Sequence, residues 1–289
     1  MKTDLITRPP KRFFAFGCSF TDYFWATWAN IIGEDLRLKY NTEFYNFGIC
    51  GIGNEAIMNL VTQADAFHKF TKDDLVMICW TNIARIDRLI GLYWSPVGNI
   101  FTSSDRKLLK QISLDELLLK NLAYIHITNN FIKLRECQFH AMQMCQVDTV
   151  FNQMDPLYQT HLHYLKDLRS IYKETIASLK PSYYDVLWKG MCTPRLNWYD
   201  PHPSPSEHHN YLKELYLHNW EPEVLDKIQI SDDRVDNQIQ AQLKTGVMTT
   251  AQQRKFFTRG EGHKTNEEII MQLLIHEGNS TTHLLGKEF

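Results

Sequence analysis

Three short apolar runs constrain this chain more than any other feature: RFFAFG at 12–17, TEFYNFG at 42–48 and DLVMICWT at 74–81, each stopping at small or polar residues. Between the first two lies WATWANIIGEDLRL, with Trp25, Trp28, Ile31, Ile32 and Leu36 at helical spacing. Between the next two lies NEAIMNLVTQADAFHKF, with Ile57, Leu60, Val61, Ala64 and Phe67 likewise. Buried strands alternating with such helices argue for βαβ units and a parallel sheet. The first run stops at Gly17, which permits a sharp turn and leaves Ser19 at the carboxyl end of its strand, where open α/β sheets carry their chemistry.

The later text extends this pattern. CQFHAMQMC (137–145) reads as a fourth strand and YYDVLW (183–188) as a fifth, separated by a helix over about 156–179 that ends before Pro181. After the third strand, RIDRLIGLYWSPVGNIFTSSDRK (85–107) is irregular and suited to a lid or pocket wall, and a long helical pattern follows from Leu114 to Leu134. From Glu221 onward the chain is polar and helical, with Thr249 and Thr265 as N-caps. The expected division is therefore a main domain over 1–221 and a helical C-terminal extension over 222–289.

Length and charge narrow the function. At 289 residues the chain buries a proper core without staples, and a formal net charge of -2 gives it no global attraction to nucleic acid or an anionic membrane. The six cysteines are scattered with no CxxC pair, as for free thiols in a reducing compartment. The N-terminus MKTDLITRPPKR has no apolar core and FFAFG is too short for a signal h-region, so a cytoplasmic location is expected. No stretch approaches the roughly 18 apolar residues of a membrane span.

Four motifs fall at the carboxyl ends of the expected strands or in the loop after the last: GCSFT (17–21), NFGICGIGN (46–54), WTN (80–82) and DPHPSPSEHH (200–209). Ester hydrolysis through a serine needs a base for the hydroxyl proton and donors for the charge that grows on the carbonyl oxygen. Ser19 supplies the hydroxyl and, at the amino end of the following helix, its own N–H. Gly51 supplies a second N–H, Asn82 a neutral amide donor and His202 the base.

These residues resemble the SGNH (GDSL-type) hydrolase family, over roughly residues 12–218. GCS stands where the family reads GDS, Asn46 and Gly51 match N-x-x-x-x-G, and Asn82 matches the third block's Asn. Asp200 and His202 match D-x-x-H with one residue fewer between them, and a backbone carbonyl can hold the imidazole where Asp200 does not. The resemblance implies a flavodoxin-like three-layer α/β/α sandwich with a five-stranded parallel sheet in the order 2-1-3-4-5. It also implies a serine esterase that needs no cofactor and acts on small acyl esters, O-acetyl groups on glycans among them.

Other readings stand beside this one. Cys18 is an alternative nucleophile, since a helix N-terminus depresses a thiol pKa; otherwise Cys18, Cys50 and Cys79 are small buried hydrophobes. Arg85 either binds an anionic substrate group or pairs with Asp87 or another acid, and Trp80, Tyr93 and Trp94 either stack on a sugar or belong to the core. His208 and His209 beside Asp200 and His202 offer a metal set, whereas Pro205 and Ser206 start a helix there and leave His208 to pack. GICGIGN lacks the G-x-G-x-x-G register of a dinucleotide site. Cys18 in place of Asp, the altered third block and the shortened last block motivate a second function, an inactive scaffold that binds a glycan or a protein. The apolar residues of the C-terminal helices are expected to seek a partner surface, through self-association or docking.

Overall fold

The computed structural model of the chain describes residues 2–90, 93–99, 114–147, 162–188 and 202–245. In chain order the elements are β1 (Thr3–Asp4), β2 (Arg12–Gly17), α1 (Trp28–Tyr40), β3 (Glu43–Gly48), α2 (Asn54–His68), β4 (Asp74–Trp80), β5 (Arg85–Ile90), β6 (Tyr93–Asn99), α3 (Leu114–Leu134), β7 (Gln138–Gln143), α4 (Leu162–Ile171), α5 (Lys173–Ala177), α6 (Tyr183–Trp188), α7 (Pro205–Leu215), β8 (Tyr216–Leu217) and α8 (Pro222–Thr245).

Four strands form one parallel sheet in the order β3-β2-β4-β7. The first crossover runs from β2 outward to β3 and the second returns past β2 to β4, so right-handed connections put α1 and α2 on opposite faces. One layer pairs α1 with α7 and α8, and the other pairs α2 with α3. The result is a flavodoxin-like α/β/α sandwich whose topological switch point lies at the carboxyl end of β2. There the register sets Gly17 level with Gly48 on one side and Cys79 on the other.

Burial from both faces explains the continuous apolar runs of the two central strands, Phe13–Phe16 in β2 and Leu75–Trp80 in β4. Phe13, Phe14, Ala15 and Phe16 of β2 are fully buried, as is β4 from Leu75 to Trp80. Rings also pair across β2 and β3, with centroids 5.1 Å apart for Phe13 and Phe44, 4.8 Å for Phe14 and Tyr45, and 5.0 Å for Phe16 and Phe47. Each such pair adds a few tenths to about 1 kcal/mol beyond burial and fixes the register.

The expected fifth strand, YYDVLW, is instead the helix α6. Ser182 and Asp185 form a capping box: the Ser182 hydroxyl and N–H donate to Asp185 Oδ2, and Asp185 N–H donates back to Ser182 Oγ at 3.2 Å. That cap outweighs the β-propensity of the two tyrosines. Segment 180–184 still lies along the β7 edge, through Lys180 N–H to Ala141 O and Tyr184 N–H to Met144 O. Among the described residues the sheet therefore has four strands, its edge covered by this segment.

Two further expectations change. The irregular stretch after β4 contains an antiparallel hairpin, β5–β6, with Asp87 opposite Pro96 and a register irregularity at Ile86/Asp87. Within the described residues the helix expected over 156–179 is two helices, α4 and α5, broken at Tyr172.

The helix that follows residue 221, α8, packs on α1 and α7. α8 buries Val224, Ile228 and Val235, and Lys227 pairs with Glu34 of α1. Just before α8, the His218 ring and the Glu221 N–H meet the buried Asp35 carboxylate at 2.7 and 2.8 Å. The buried residues of α8 pack on the chain itself, while Leu225 and Ile230 of the same helix are exposed. Thr249, Thr265 and the helices expected around them lie outside the described residues. No described helix is long and apolar enough to cross a membrane.

Candidate active site

Ser19 sits in a tight turn directly beyond β2. The Cys18 carbonyl accepts from Thr21 N–H at 2.8 Å and Asp22 N–H at 3.2 Å, which folds the chain back under Ser19. A Cβ on Gly17 would collide with the Thr21 side chain and lie 2.9 Å from the Cys79 carbonyl, so only glycine lets the turn close against β4. The Thr21 carbonyl is stapled from two sides, by Asn46 Nδ2 at 3.1 Å and Thr27 Oγ1 at 2.6 Å. Asn46 is buried, and its Oδ1 takes the Gly48 N–H at 2.9 Å, so the residue matched to the second family block holds the serine turn against β3.

One element of the expected arrangement changes. Ser19 does not open a helix: α1 begins at Trp28 behind the N-cap Thr27, and Ser19 lies in the preceding turn. No helix N-terminus lies at this turn, so the feature on which the Cys18 alternative rested is absent there. Cys18 is buried in the core, whereas Ser19 meets His202.

The structure brings together two side chains 183 positions apart: His202 Nε2 lies 2.8 Å from Ser19 Oγ. His202 is held by the segment that follows Ser19. Tyr23 stacks on its imidazole with centroids 3.7 Å apart at 18°, Phe20 meets it edge-on at 5.7 Å, and Trp25 Nε1–H donates to the Pro203 carbonyl at 2.7 Å. Just beyond, Ser204 caps α7 with Pro205 at its first turn, and Ser204 N–H bonds the Glu207 carboxylate at 2.8 Å.

His208 and His209 turn away from this contact. His208 is buried with Nδ1 2.9 Å from the Tyr183 hydroxyl, and His209 lies edge-on to Trp220. Burial, and after it the neighbouring His202, pushes the His208 pKa well below the usual imidazole range, so it is neutral at neutral pH. Among the described residues no group of three metal-ligating side chains is assembled.

Gly51 and Asn82 follow the two strands that flank β2. Among the described residues neither the Ser19 N–H nor the Gly51 N–H has an acceptor. Gly51 takes φ +83° in the turn closed by Ile52 N–H to Ile49 O at 3.4 Å, a conformation a side chain would strain. Its neighbour Cys50 is exposed as a residue; partial burial of the thiol raises its pKa, so Cys50 is a protonated neighbour rather than a thiolate. Asn82 follows β4, its Oδ1 accepting Ala84 N–H at 2.8 Å and its Nδ2 making only a long 3.9 Å contact with Cys145 Sγ.

Two residues that the motifs did not single out position Asn82. Buried Asn54 accepts Thr81 N–H at 2.8 Å and donates to Thr81 O at 3.1 Å and Asn121 Oδ1 at 2.6 Å. Asn121 in turn donates to Ile83 O at 3.2 Å and Leu117 O at 2.6 Å. A signal was present: Asn121 shares a helix face with Leu118, Leu122 and Ile125, where a polar residue requires a buried partner.

The remaining expected residues divide. Trp80 is fully buried and offers no face to a ligand; Trp94 is half-buried and packs on the core. Arg85 does not pair with Asp87: its Nη1 donates to Ile52 O at 3.2 Å, and the Asp87 carboxylate takes the Gly53 and Ala56 amides at 2.6 and 3.1 Å. Asp200 lies outside the described residues.

No family model and no curated protein matches the chain. Solved structures similar to it include a catalytic mutant of Axe2, an acetylxylan esterase from Geobacillus stearothermophilus, at 18% identity and a TM-score of 0.43, covering 72% of this chain and 94% of that one. LAE5, an alpha/beta hydrolase enzyme from the metagenome of Lake Arreo, Spain, is 14% identical with a TM-score of 0.41 over 70% of this chain and 91% of that one. A member of the lipolytic protein G-D-S-L family from Veillonella parvula is 10% identical with a TM-score of 0.38, covering 70% and 94%.

Proposed function

We propose that this protein hydrolyses short-chain carboxylic esters through Ser19. The observation that carries the reading is the 2.8 Å contact between Ser19 Oγ and His202 Nε2, which joins a hydroxyl and a base from opposite ends of the fold. As Ser19 Oγ attacks the ester carbonyl, His202 Nε2 takes the hydroxyl proton, and the charge on the carbonyl oxygen falls to the Ser19 N–H, the Gly51 N–H and Asn82 Nδ2. Collapse expels the alcohol, protonated by His202, and leaves an acyl group on Ser19. Water, deprotonated by His202, then releases the acid and restores the serine.

In this reading Asp200 is the acid that holds the imidazole, and no step calls for a cofactor. The substrate is a small acyl ester, O-acetyl groups on glycans included.

Steady-state turnover of 4-nitrophenyl acetate tests it. Ser19→Ala and His202→Ala are expected to lower kcat by about a thousandfold or more with little change in thermal melting. Ser19→Ala turning over at the wild-type rate would overturn the reading.

A further inference from the structure

The hairpin wall beside the Gly51 turn carries a cation whose charge the fold does not use. Arg85 is half-buried at the start of β5, and the single hydrogen bond of its side chain among the described residues runs from Nη1 to the Ile52 carbonyl. The acid nearest along its own strand, Asp87, is engaged by two backbone amides at the start of α2. Arg85 forms no ion pair with any described carboxylate, so most of its five N–H donors are open to a ligand.

Its position relates it to the nucleophile. The carbonyl it holds belongs to the turn that presents the Gly51 N–H, and Pro96, from the strand paired with β5, lies against Gly51. The guanidinium also opposes the burial that raises two thiols near the strand ends, Cys50 beside Gly51 and Cys79 level with Gly17. An isolated positive charge on one wall of a hydrolytic site selects among substrates by charge.

We propose that Arg85 is a specificity residue that binds an anionic oxygen group, a carboxylate or a phosphate, carried by the ester, so that the preferred substrate is an anionic rather than a neutral ester. This rests on the esterase reading above. The guanidinium fork pairs with two oxygens of such a group while Nη1 keeps its bond to Ile52, a geometry lysine does not reproduce.

Matched esters test the proposal. On the acyl side, mono-4-nitrophenyl succinate is compared with 4-nitrophenyl butyrate; on the alcohol side, 4-acetoxybenzoate and 4-acetoxyphenyl phosphate are compared with phenyl acetate. In at least one comparison the wild type is expected to favour the anionic ester by about tenfold or more in kcat/KM. Arg85→Gln is expected to lose most of that ratio and Arg85→Lys to keep part of it. Comparing ratios between proteins cancels the intrinsic reactivity of the leaving groups. The proposal is overturned if the wild type shows no anionic preference, or if Arg85→Gln lowers both members of a pair by the same factor, since Arg85 then only braces the turn.

Melting temperatures in sodium succinate or inorganic phosphate, against sodium chloride at equal ionic strength, separate the anion site from catalysis. A rise in the wild type that Arg85→Gln lacks supports the site even where no ester is turned over, in which case only the esterase reading falls. Where no ester is turned over, absence of that rise overturns the role of Arg85.

Discussion

The indole N–H of Trp25 donates to the carbonyl of Pro203 at 2.7 Å, so the segment that carries Ser19 also fixes the loop that carries His202. Together with the Tyr23 ring stacked on the imidazole, this makes the serine–histidine distance a property of residues 19–25 and their grip on the loop.

Trp25→Phe is accordingly expected to lower kcat about tenfold with a smaller effect on KM, because it frees the base loop and leaves a buried carbonyl without its donor. Ester kinetics and a melting curve on the same preparation check this. A change in KM alone would place Trp25 in substrate binding instead.

The donors around the serine should differ in what their loss does. Asn82→Ala removes a side chain that braces only its own loop, and is expected to reduce kcat by about ten- to a hundredfold while leaving the melting temperature within a few degrees. Gly51→Ala adds a Cβ at φ +83° that would meet Pro96 at 3.3 Å, and should lower both kcat and stability. Kinetics and thermal melts of both variants separate the two patterns.

Asn54→Ala removes two hydrogen bonds to Thr81 and one to Asn121 in a buried setting. The expected loss is about 2–3 kcal/mol of unfolding free energy, read from denaturant curves, with a fall in kcat as the Asn82 loop loosens. Loss of stability with unchanged kcat would show that Asn54 supports the core and not the site.

Acid should weaken the fold before its carboxylates titrate. His140 donates Nε2–H to the Leu5 carbonyl at 2.9 Å, and burial lowers its pKa to about 4. Above the unfolded value near 6.5 the ring is neutral in both states and adds no pH dependence. Between about 6.5 and 4 the unfolded chain binds a proton that the folded one refuses, so stability falls as pH drops, by about 1–2 kcal/mol at pH 5 from this residue. Unfolding free energies at pH 7 and 5 should differ less in His140→Gln than in the wild type.

Much of this architecture was legible in residue patterns because its central strands are covered on both faces: after a charged first residue RFFAFG and DLVMICWT run apolar, the first matching β2 and the second ending one residue past β4. YYDVLW misled because composition favoured a strand while the decisive signal, Ser182 spaced three residues from Asp185, lay partly outside the run. The hairpin at 85–99 was hidden by its proline, its glycine and its irregular pairing. The candidate site divides the same way. Ser19, Gly51 and Asn82 follow strand ends and are visible as such, whereas the clamp from Tyr23 and Trp25 to the 202–203 loop depends on contacts such as Trp25–Pro203, 178 positions apart, which no local periodicity encodes.

The central claim is that the hydroxyl of Ser19 is activated by His202, and the most direct measurement is labelling with a fluorophosphonate probe followed by mass spectrometry of the modified peptide. It needs an activated serine and not the right ester. The account predicts labelling at Ser19 that disappears in both Ser19→Ala and His202→Ala, each still folded by its melting curve. An unlabelled wild type, or labelling that survives in His202→Ala, would contradict it, and an unlabelled wild type would favour a scaffold that binds its ligand without cleaving it.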